Sequence, residues 1–109
     1  MDTFHALADS NRRKIMELLA RDGRLTATEI CGQFSVSPQA ISQHLKVLRE
    51  ARLVKVEKKA QQRIYQINPG TVLELEGWTK QLRQLWDQRY DALDQVLEKE
   101  KMLAKGGEK

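Results

Sequence analysis

The side chains best suited to chemistry are amides and a hydroxyl that fall within one short segment. Gln39, Ser42 and Gln43 lie in the segment 37–43. Such groups make directional hydrogen bonds, and a glutamine amide matches the donor and acceptor on the exposed edge of an adenine. The sequence shows no nucleophile–base pair, no carboxylate pair and no glycine-rich phosphate loop, so an enzyme is not predicted. The chemistry indicated is recognition by hydrogen bonding.

Positive charge is concentrated around the same segment. Residues 35–66 contain seven basic residues (Lys or Arg) and two acidic residues (Asp or Glu). By contrast, residues 1–34 contain five basic and five acidic residues, and residues 67–109 contain seven basic and eight acidic residues. The net charge of the whole 109-residue chain is only +4, which fits many proteins. Its uneven distribution predicts a polyanionic partner for the middle third.

A helix with clear start signals carries the amide-bearing segment, and we predict that it covers 38–52. Ser37 is a favourable N-cap, and Pro38 suits the first helical position because its missing N–H would have no partner there. The apolar residues of one arc are Ile41, Leu45 and Leu48, and the polar residues of the opposite side are Gln39, Gln43, Lys46 and Glu50. The helix is therefore predicted to bury one face and present an amide-rich face outward.

Helices are also predicted before this segment. A short helix covers 2–8, and an amphipathic helix covers 11–21 with Ser10 as its N-cap. Thr26 and Glu29 have the spacing of a capping box, in which each side chain bonds the backbone N–H of the other residue. A further short helix is predicted to start there.

The pattern then changes from helical to alternating. Apolar and polar residues alternate with a period of two on either side of a polar stretch, which predicts a two-stranded hairpin over 54–67. Thr71 is predicted to cap a long helix of about 71–101. Together the elements predict one domain over 1–101, followed by a flexible tail at 102–109.

A short helix, a tight turn and a second helix with an exposed polar face form a helix-turn-helix, and the hairpin after it adds a wing. The predicted fold class is mainly α with a small two-stranded β-wing: a winged helix-turn-helix, dimerised through its terminal helices. The major groove of B-DNA accepts one α-helix, so the 38–52 helix is predicted to read base edges there.

The residues predicted to contact double-stranded DNA are Ser37, Gln39, Ala40, Ser42, Gln43, His44, Lys46, Arg49, Lys58, Lys59, Gln62 and Arg63. Gln39, Ser42 and Gln43 are candidates for reading bases, and Ala40 is small enough to allow close approach. The Lys and Arg side chains suit phosphate contacts, which fix register without specifying sequence. His44 falls at the edge of the buried face, so a structural hydrogen bond and a phosphate contact are both open.

Two runs of the sequence resemble a known family. Residues 7–19 and 36–54 are similar to the ArsR/SmtB family of winged-helix bacterial transcriptional repressors. The similarity covers about residues 4–67 and is most specific at the Ser-x-His-Leu-x-x-Leu motif that begins at Ser42. The resemblance implies a homodimeric repressor that binds a palindromic operator and releases it on a signal, which in familiar members is a metal ion.

The sequence departs from this family at the metal sites. Metal-sensing members carry a Cys-x-Cys pair before the recognition helix, where this chain has Thr26 and Thr28. Another family site uses His and carboxylate ligands on the final helix, but the two histidines are His5 and His44. Soft-metal and zinc sites need several Cys or His ligands. We therefore expect no metal and no cofactor, and the sequence does not name the signal.

The long final helix is predicted to form a dimer interface. It would measure roughly 45 Å at 1.5 Å per residue, and a compact domain of this size has a radius of gyration of about 13 Å. Another surface must therefore cover its apolar side chains. The predicted interface residues are Phe4, Leu7, Leu75, Trp78, Leu82, Leu85, Trp86, Arg89, Leu93 and Val96. The alternative is a protein-interaction module that docks a different partner on this helix.

Four residues have more than one interpretation. Trp78 and Trp86 are interpreted as interface residues rather than a cofactor box. Arg89 lies among apolar side chains, so it is a paired or snorkelling cation or else part of an anionic effector site. Cys31 is interpreted as a small buried hydrophobe rather than a redox switch. A single cysteine and the lack of a signal-peptide or membrane-spanning apolar run predict a cytoplasmic protein without a membrane role.

Overall fold

The computed structural model describes residues 2–107, with only the backbone described at residue 92 and beyond residue 101. The elements in chain order are α1 (Thr3–Leu7), α2 (Ser10–Asp22), β1 (Leu25–Thr26), α3 (Ala27–Cys31), α4 (Pro38–Glu50), β2 (Val54–Lys59), β3 (Gln62–Ile67) and α5 (Pro69–Gly107). Internal contacts divide the chain into a body that ends at Val72 and a second unit that begins at Leu73. The body contains every element from α1 to β3 and the start of α5.

The sheet of the body has three antiparallel strands in the order β1-β3-β2. The predicted hairpin over 54–67 is confirmed, with Val54 opposite Ile67 at its base. The strand β1 is an addition to the predicted two-stranded wing, and it pairs Leu25 with Tyr65 of β3. Its two residues are too few to show a period of two, so only the pairing reveals it. The wing is thereby joined to the segment between α2 and α3.

The core lies where α2, α3 and α4 pack with the sheet. The largest fully buried side chains among the described residues are Ile15, Leu19, Ile30, Ile41, Leu45, Leu48 and Leu53. Burying each of them stabilises the fold by about 1.5–3 kcal/mol. The apolar arc predicted for α4 is confirmed as its buried face. The opposite face of α4 is consequently turned to solvent.

Side-chain caps define the starts of α3 and α4 as predicted. The Ser37 hydroxyl accepts a hydrogen bond from the Ala40 backbone N–H at 3.2 Å, and Pro38 occupies the first turn of α4. The capping box at α3 is also present. The Thr26 hydroxyl accepts from the Glu29 N–H at 3.1 Å, and the Glu29 carboxylate accepts from the Thr26 N–H at 3.0 Å. Each cap satisfies N–H groups that have no partner inside the helix.

The start of α2 corrects a prediction, because Ser10 is not its N-cap. The Asp9 carboxylate takes that role, accepting from the Asn11 N–H at 2.8 Å and from the Arg12 N–H at 3.2 Å. Desolvation raises the pKa of Asp9, but those two N–H donors and the positive charge of Arg12 outweigh it, and the pKa lies below its ordinary 3.8. Both Asp and Ser are favourable N-caps, so composition alone does not decide between adjacent positions.

Helix α5 begins at Pro69, before the predicted start at Thr71. The side-chain oxygen of Asn68 accepts from the Gly70 N–H at 3.2 Å, which satisfies a free donor of the first turn. Thr71 is buried instead, and its hydroxyl donates to the Arg52 carbonyl at 2.5 Å. The Asn68 amide donates to the same carbonyl at 2.9 Å. These bonds tie the chain after α4 to the start of α5.

The backbone of α5 is helical through Gly107, beyond the predicted end near residue 101. Of the tail predicted at 102–109, residues 108 and 109 lie outside the described residues. In the part of the chain that the structure describes, no helix combines the length and the apolar character needed to cross a membrane.

Candidate nucleic-acid interface

The solvent-facing side of α4 carries the predicted base-reading residues. Gln39, Ser42 and Gln43 are exposed, and Ala40 is half-buried between them. Ser37 differs from these residues because its hydroxyl is engaged as the N-cap. The exposed amides and the Ser42 hydroxyl project from a helix whose other face is anchored in the core, so their positions are held by packing.

A groove of about 400 Å³ lies between α4 and β3. It is lined by Ser42, Gln43, Leu45, Lys46 and Arg49 of α4, by Arg63 and Tyr65 of β3, and by Ala27. Three predicted phosphate-binding cations and two predicted base-reading residues therefore meet in one groove. A surface of this kind can neutralise phosphates and reach base edges at the same time.

Four predicted contacts lie near the tip of the hairpin and are exposed: Lys58, Lys59, Gln62 and Arg63. Lys58 lies directly opposite Arg63 in the strand register. Like charges at such directly opposite positions repel each other and are destabilising. Within the described residues, the adjacent Glu57 carboxylate is paired with Arg24. A phosphate bound at the tip would relieve the repulsion between the two cations.

His44 is the predicted contact residue that also faces the interior. Its side chain is half-buried, and its Nδ1 lies 3.3 Å from Nη1 of Arg12 on α2. The structural hydrogen bond left open by the sequence is therefore present. Arg12 is not among the predicted site residues, because 32 positions separate the two partners and no local pattern signals a contact over that distance.

Known proteins are similar in sequence to most of this chain. The family model described as "Bacterial regulatory protein, arsR family" matches residues 9–56. An HTH-type transcriptional regulator of Mycobacterium tuberculosis is 42% identical over 84 residues, which cover 72% of this chain and 78% of that protein. This chain belongs to the ArsR family. The ArsR-family chain is also 34% identical over 77 residues to the transcriptional repressor SdpR of Bacillus subtilis, with 71% of this chain and 84% of that protein covered.

A solved structure supports the same conclusion for the fold. The ArsR-like transcriptional regulator from Rhodococcus sp. RHA1 superposes on the ArsR-family chain with a TM-score of 0.78 at 28% identity, covering 87% of this chain and 86% of that one. The winged helix-turn-helix prediction is confirmed, with a three-stranded rather than a two-stranded sheet. The protein is a DNA-binding transcriptional regulator, and its relatives are regulators, a non-enzymatic class.

The positions expected to correspond to the Cys-x-Cys pair of metal-sensing ArsR proteins hold Thr26 and Thr28. Thr26 is the N-cap of α3, and Thr28 is exposed on the first turn. Cys31 lies half-buried at the end of the same helix. Among the described residues, no three His, Cys, Asp or Glu side chains are grouped so that they could hold a metal ion.

The residues predicted for the dimer interface are mostly exposed within one chain. The large apolar side chains Trp78, Leu82, Leu85, Trp86, Leu93 and Val96 of α5, here called the apolar stripe, are each 48–65% exposed. Arg89 is exposed among them, and Leu75 is half-buried. On α1, Phe4 is 50% exposed and Leu7 is half-buried. Exposed apolar side chains repeated along one helix, as in the apolar stripe, are typical of protein–protein interfaces.

Proposed function

We propose that this ArsR-family protein is a homodimeric repressor that binds a palindromic operator, with α4 in the major groove and the β2–β3 hairpin against the phosphate backbone. The observation that carries the proposal is the groove between α4 and β3. There the Ser42 hydroxyl and the Gln43 amide lie beside Lys46, Arg49 and Arg63. Phosphate neutralisation supplies most of the affinity, and the base edges supply the specificity.

The contact residues take two roles in this complex. Gln39, Ser42 and Gln43 bond base edges, with Ala40 allowing close approach. The backbone contacts come from Ser37, His44, Lys46, Arg49, Lys58, Lys59, Gln62 and Arg63. A phosphate between the opposed Lys58 and Arg63 explains why two like charges are tolerated in register at the hairpin tip.

The second copy covers the apolar stripe of α5 together with Phe4 and Leu7 of α1. Trp78 and Trp86 supply the largest apolar areas, on the order of 150–250 Å² each. A twofold arrangement places two recognition helices about 34 Å apart, one turn of B-DNA, which is why the operator is expected to be palindromic.

The salt dependence of DNA binding tests the proposal. Duplexes selected by the protein from genomic DNA are titrated in 50 and 200 mM salt. With six to ten phosphate contacts, affinity is expected to fall on the order of 10³-fold or more, because bound phosphates release counterions. An affinity that hardly responds to salt would favour the alternative, a module that docks a protein partner on α5.

The two roles of the contact residues predict different mutational effects. Gln43→Ala is expected to relax preference at one base position by about 1–3 kcal/mol, because a bidentate amide contact is lost. Lys59→Ala is expected to weaken binding to all DNA sequences alike. It should also reduce the slope of log affinity against log salt concentration by about one. Affinities for the selected duplex and for a random duplex distinguish them. Equal effects of both variants on the two duplexes would contradict the assignment.

Metal ions are not the signal for this repressor. The threonines at the Cys-x-Cys positions lack a thiolate ligand, and hydroxyls are poor ligands for soft metals. Adding zinc, cadmium or arsenite to the protein–DNA complex is expected to leave the duplex bound, as measured by fluorescence anisotropy. Release of the duplex by any of the three would show that a metal site exists.

A further inference from the structure

Arg12 joins three helices of the body through one side chain. Its Nε donates to the Ala6 carbonyl at 2.6 Å, and its Nη2 donates to the His5 carbonyl at 3.3 Å. Both carbonyls belong to the five-residue helix α1, whose last turn has carbonyls without partners inside the helix. The remaining Nη1 lies 3.3 Å from Nδ1 of His44 on α4. The half-buried guanidinium of α2 therefore contacts both α1 and α4.

The adjacent Arg13 also donates to carbonyls at the end of α1. Its Nη1 donates to the Leu7 carbonyl at 2.7 Å and to the Ala8 carbonyl at 3.0 Å. Both acceptors lie at the end of α1, and the Arg13 side chain is exposed. The two arginines thus share the capping of α1, and the bond to α4 belongs to Arg12. Arg13 is a matched control for it.

The direction of the bond between Arg12 and His44 selects one tautomer of the neutral imidazole. A guanidinium has donors and no acceptor, so Nδ1 of His44 accepts and carries no proton. The neutral ring then holds its proton on Nε2, which becomes a hydrogen-bond donor. A lysine could not reproduce the arrangement, because the planar fork of arginine serves three separated acceptors at once.

We propose that Arg12 is a positioning residue for DNA binding: it anchors α4 to the end of α1 through His44 and selects the imidazole tautomer that offers its Nε2–H donor to a DNA phosphate. The inference rests on the proposed function. Phe4 and Leu7, which the proposed dimer covers, belong to the same helix α1.

The tautomer of His44 is the first test, and it needs no DNA. With only two histidines in the chain, ¹⁵N-histidine labelling and a His5→Gln variant assign both rings. In the unmodified protein, at a pH above the range in which imidazoles titrate, the neutral His44 ring is expected to carry its proton on Nε2. Arg12→Gln is expected to produce a mixture of tautomers, whereas Arg13→Gln leaves the ring unchanged. A proton on Nδ1, or the same spectrum in all three proteins, would overturn the proposal.

DNA affinity is the second test, made on the duplex selected by the protein. Arg12→Gln is expected to lower the affinity for DNA about tenfold, which is the effect of losing one hydrogen bond to a charged group. Arg13→Gln is expected to lower the affinity less than about threefold. When each variant is combined with His44→Leu, the effects of Arg12→Gln and His44→Leu on binding free energy should be strongly non-additive. The effects of Arg13→Gln and His44→Leu should be additive. Equal losses, or additivity in both pairs, would reject the positioning role.

The two tests separate the failure of this inference from failure of the proposed function. If the unmodified protein selects no duplex, the repressor proposal fails and the tautomer spectra alone decide the Arg12–His44 bond. Sedimentation of each variant checks that the dimer is unchanged. If Arg12→Gln does not fold, Arg12→Lys keeps the positive charge without the three-way fork, and the same tautomer mixture and loss of affinity are expected of it.

Discussion

Replacing Leu82 with aspartate is expected to yield a monomer that has lost high-affinity binding to the palindromic operator. Leu82 lies within the apolar stripe of α5 and is 52% exposed in a single chain. In the proposed dimer that surface is covered by the second copy, so the new carboxylate would be buried without a partner, at a cost of several kcal/mol. Each chain carries the substitution, so the penalty is incurred twice in a twofold interface.

The loss of DNA affinity follows from the loss of bivalence. A dimer binds its second half-site intramolecularly, which raises affinity by about 10²–10⁴-fold over one half-site. Leu82→Asp is expected to lower the affinity for the full operator by about that factor and to change the affinity for an isolated half-site little. Gln84→Asp is the control, because Gln84 lies with Lys80, Arg83 and Asp87 on the polar side of α5. Analytical ultracentrifugation measures the mass, and fluorescence anisotropy measures binding. A Leu82→Asp dimer, or a monomer with full affinity, would contradict the proposal.

Replacing Ile41 with alanine is expected to destabilise the protein by about 2–5 kcal/mol. Ile41 is completely buried where the first turns of α4 enter the core. Removing its side chain loses apolar burial and leaves a cavity that the packed helix fills only in part. A domain of this size is typically stable by about 5–15 kcal/mol, so the effect is a large part of the total.

The neighbouring Ser42 provides the matched control. Ser42→Ala removes an exposed hydroxyl and is expected to change stability by less than about 0.5 kcal/mol. The same substitution should weaken binding to the selected operator, because the hydroxyl faces the groove between α4 and β3. Urea denaturation at one protein concentration gives both stabilities, since dimerisation links stability to concentration. A cost below about 1 kcal/mol for Ile41→Ala would contradict the assigned packing.

Most of the candidate interface could be predicted from the sequence because its signals are local. The cap at Ser37, the proline after it and the apolar spacing through Leu48 all lie within one helix. They establish where α4 starts and which face is buried, and hence which amides are exposed. The two-stranded hairpin over 54–67 also followed from alternation over neighbouring residues.

Predictions from the sequence were wrong or incomplete where two nearby residues could fill the same capping role, or where the bonding partner lies far away in the chain. Asp9 and Ser10 are both good N-caps, and the position of the turn after α1 selects Asp9. Thr71 was expected to cap α5, but Asn68 lies before the first turn and Thr71 is drawn inward by the Arg52 carbonyl. In each case the choice depends on the path of the chain between elements, which local propensity does not encode.

The sequence by itself determined the helix-turn-helix, the wing, the exposed amide face and the concentration of positive charge, because each is set by spacing over a few residues. Only the tertiary structure decided that β1 joins the sheet, that Arg63 shares a groove with Lys46 and Arg49, and that Arg12 holds His44. Those contacts join residues far apart in the chain. Their partners are brought together by burial of the common core, and no local period records that packing.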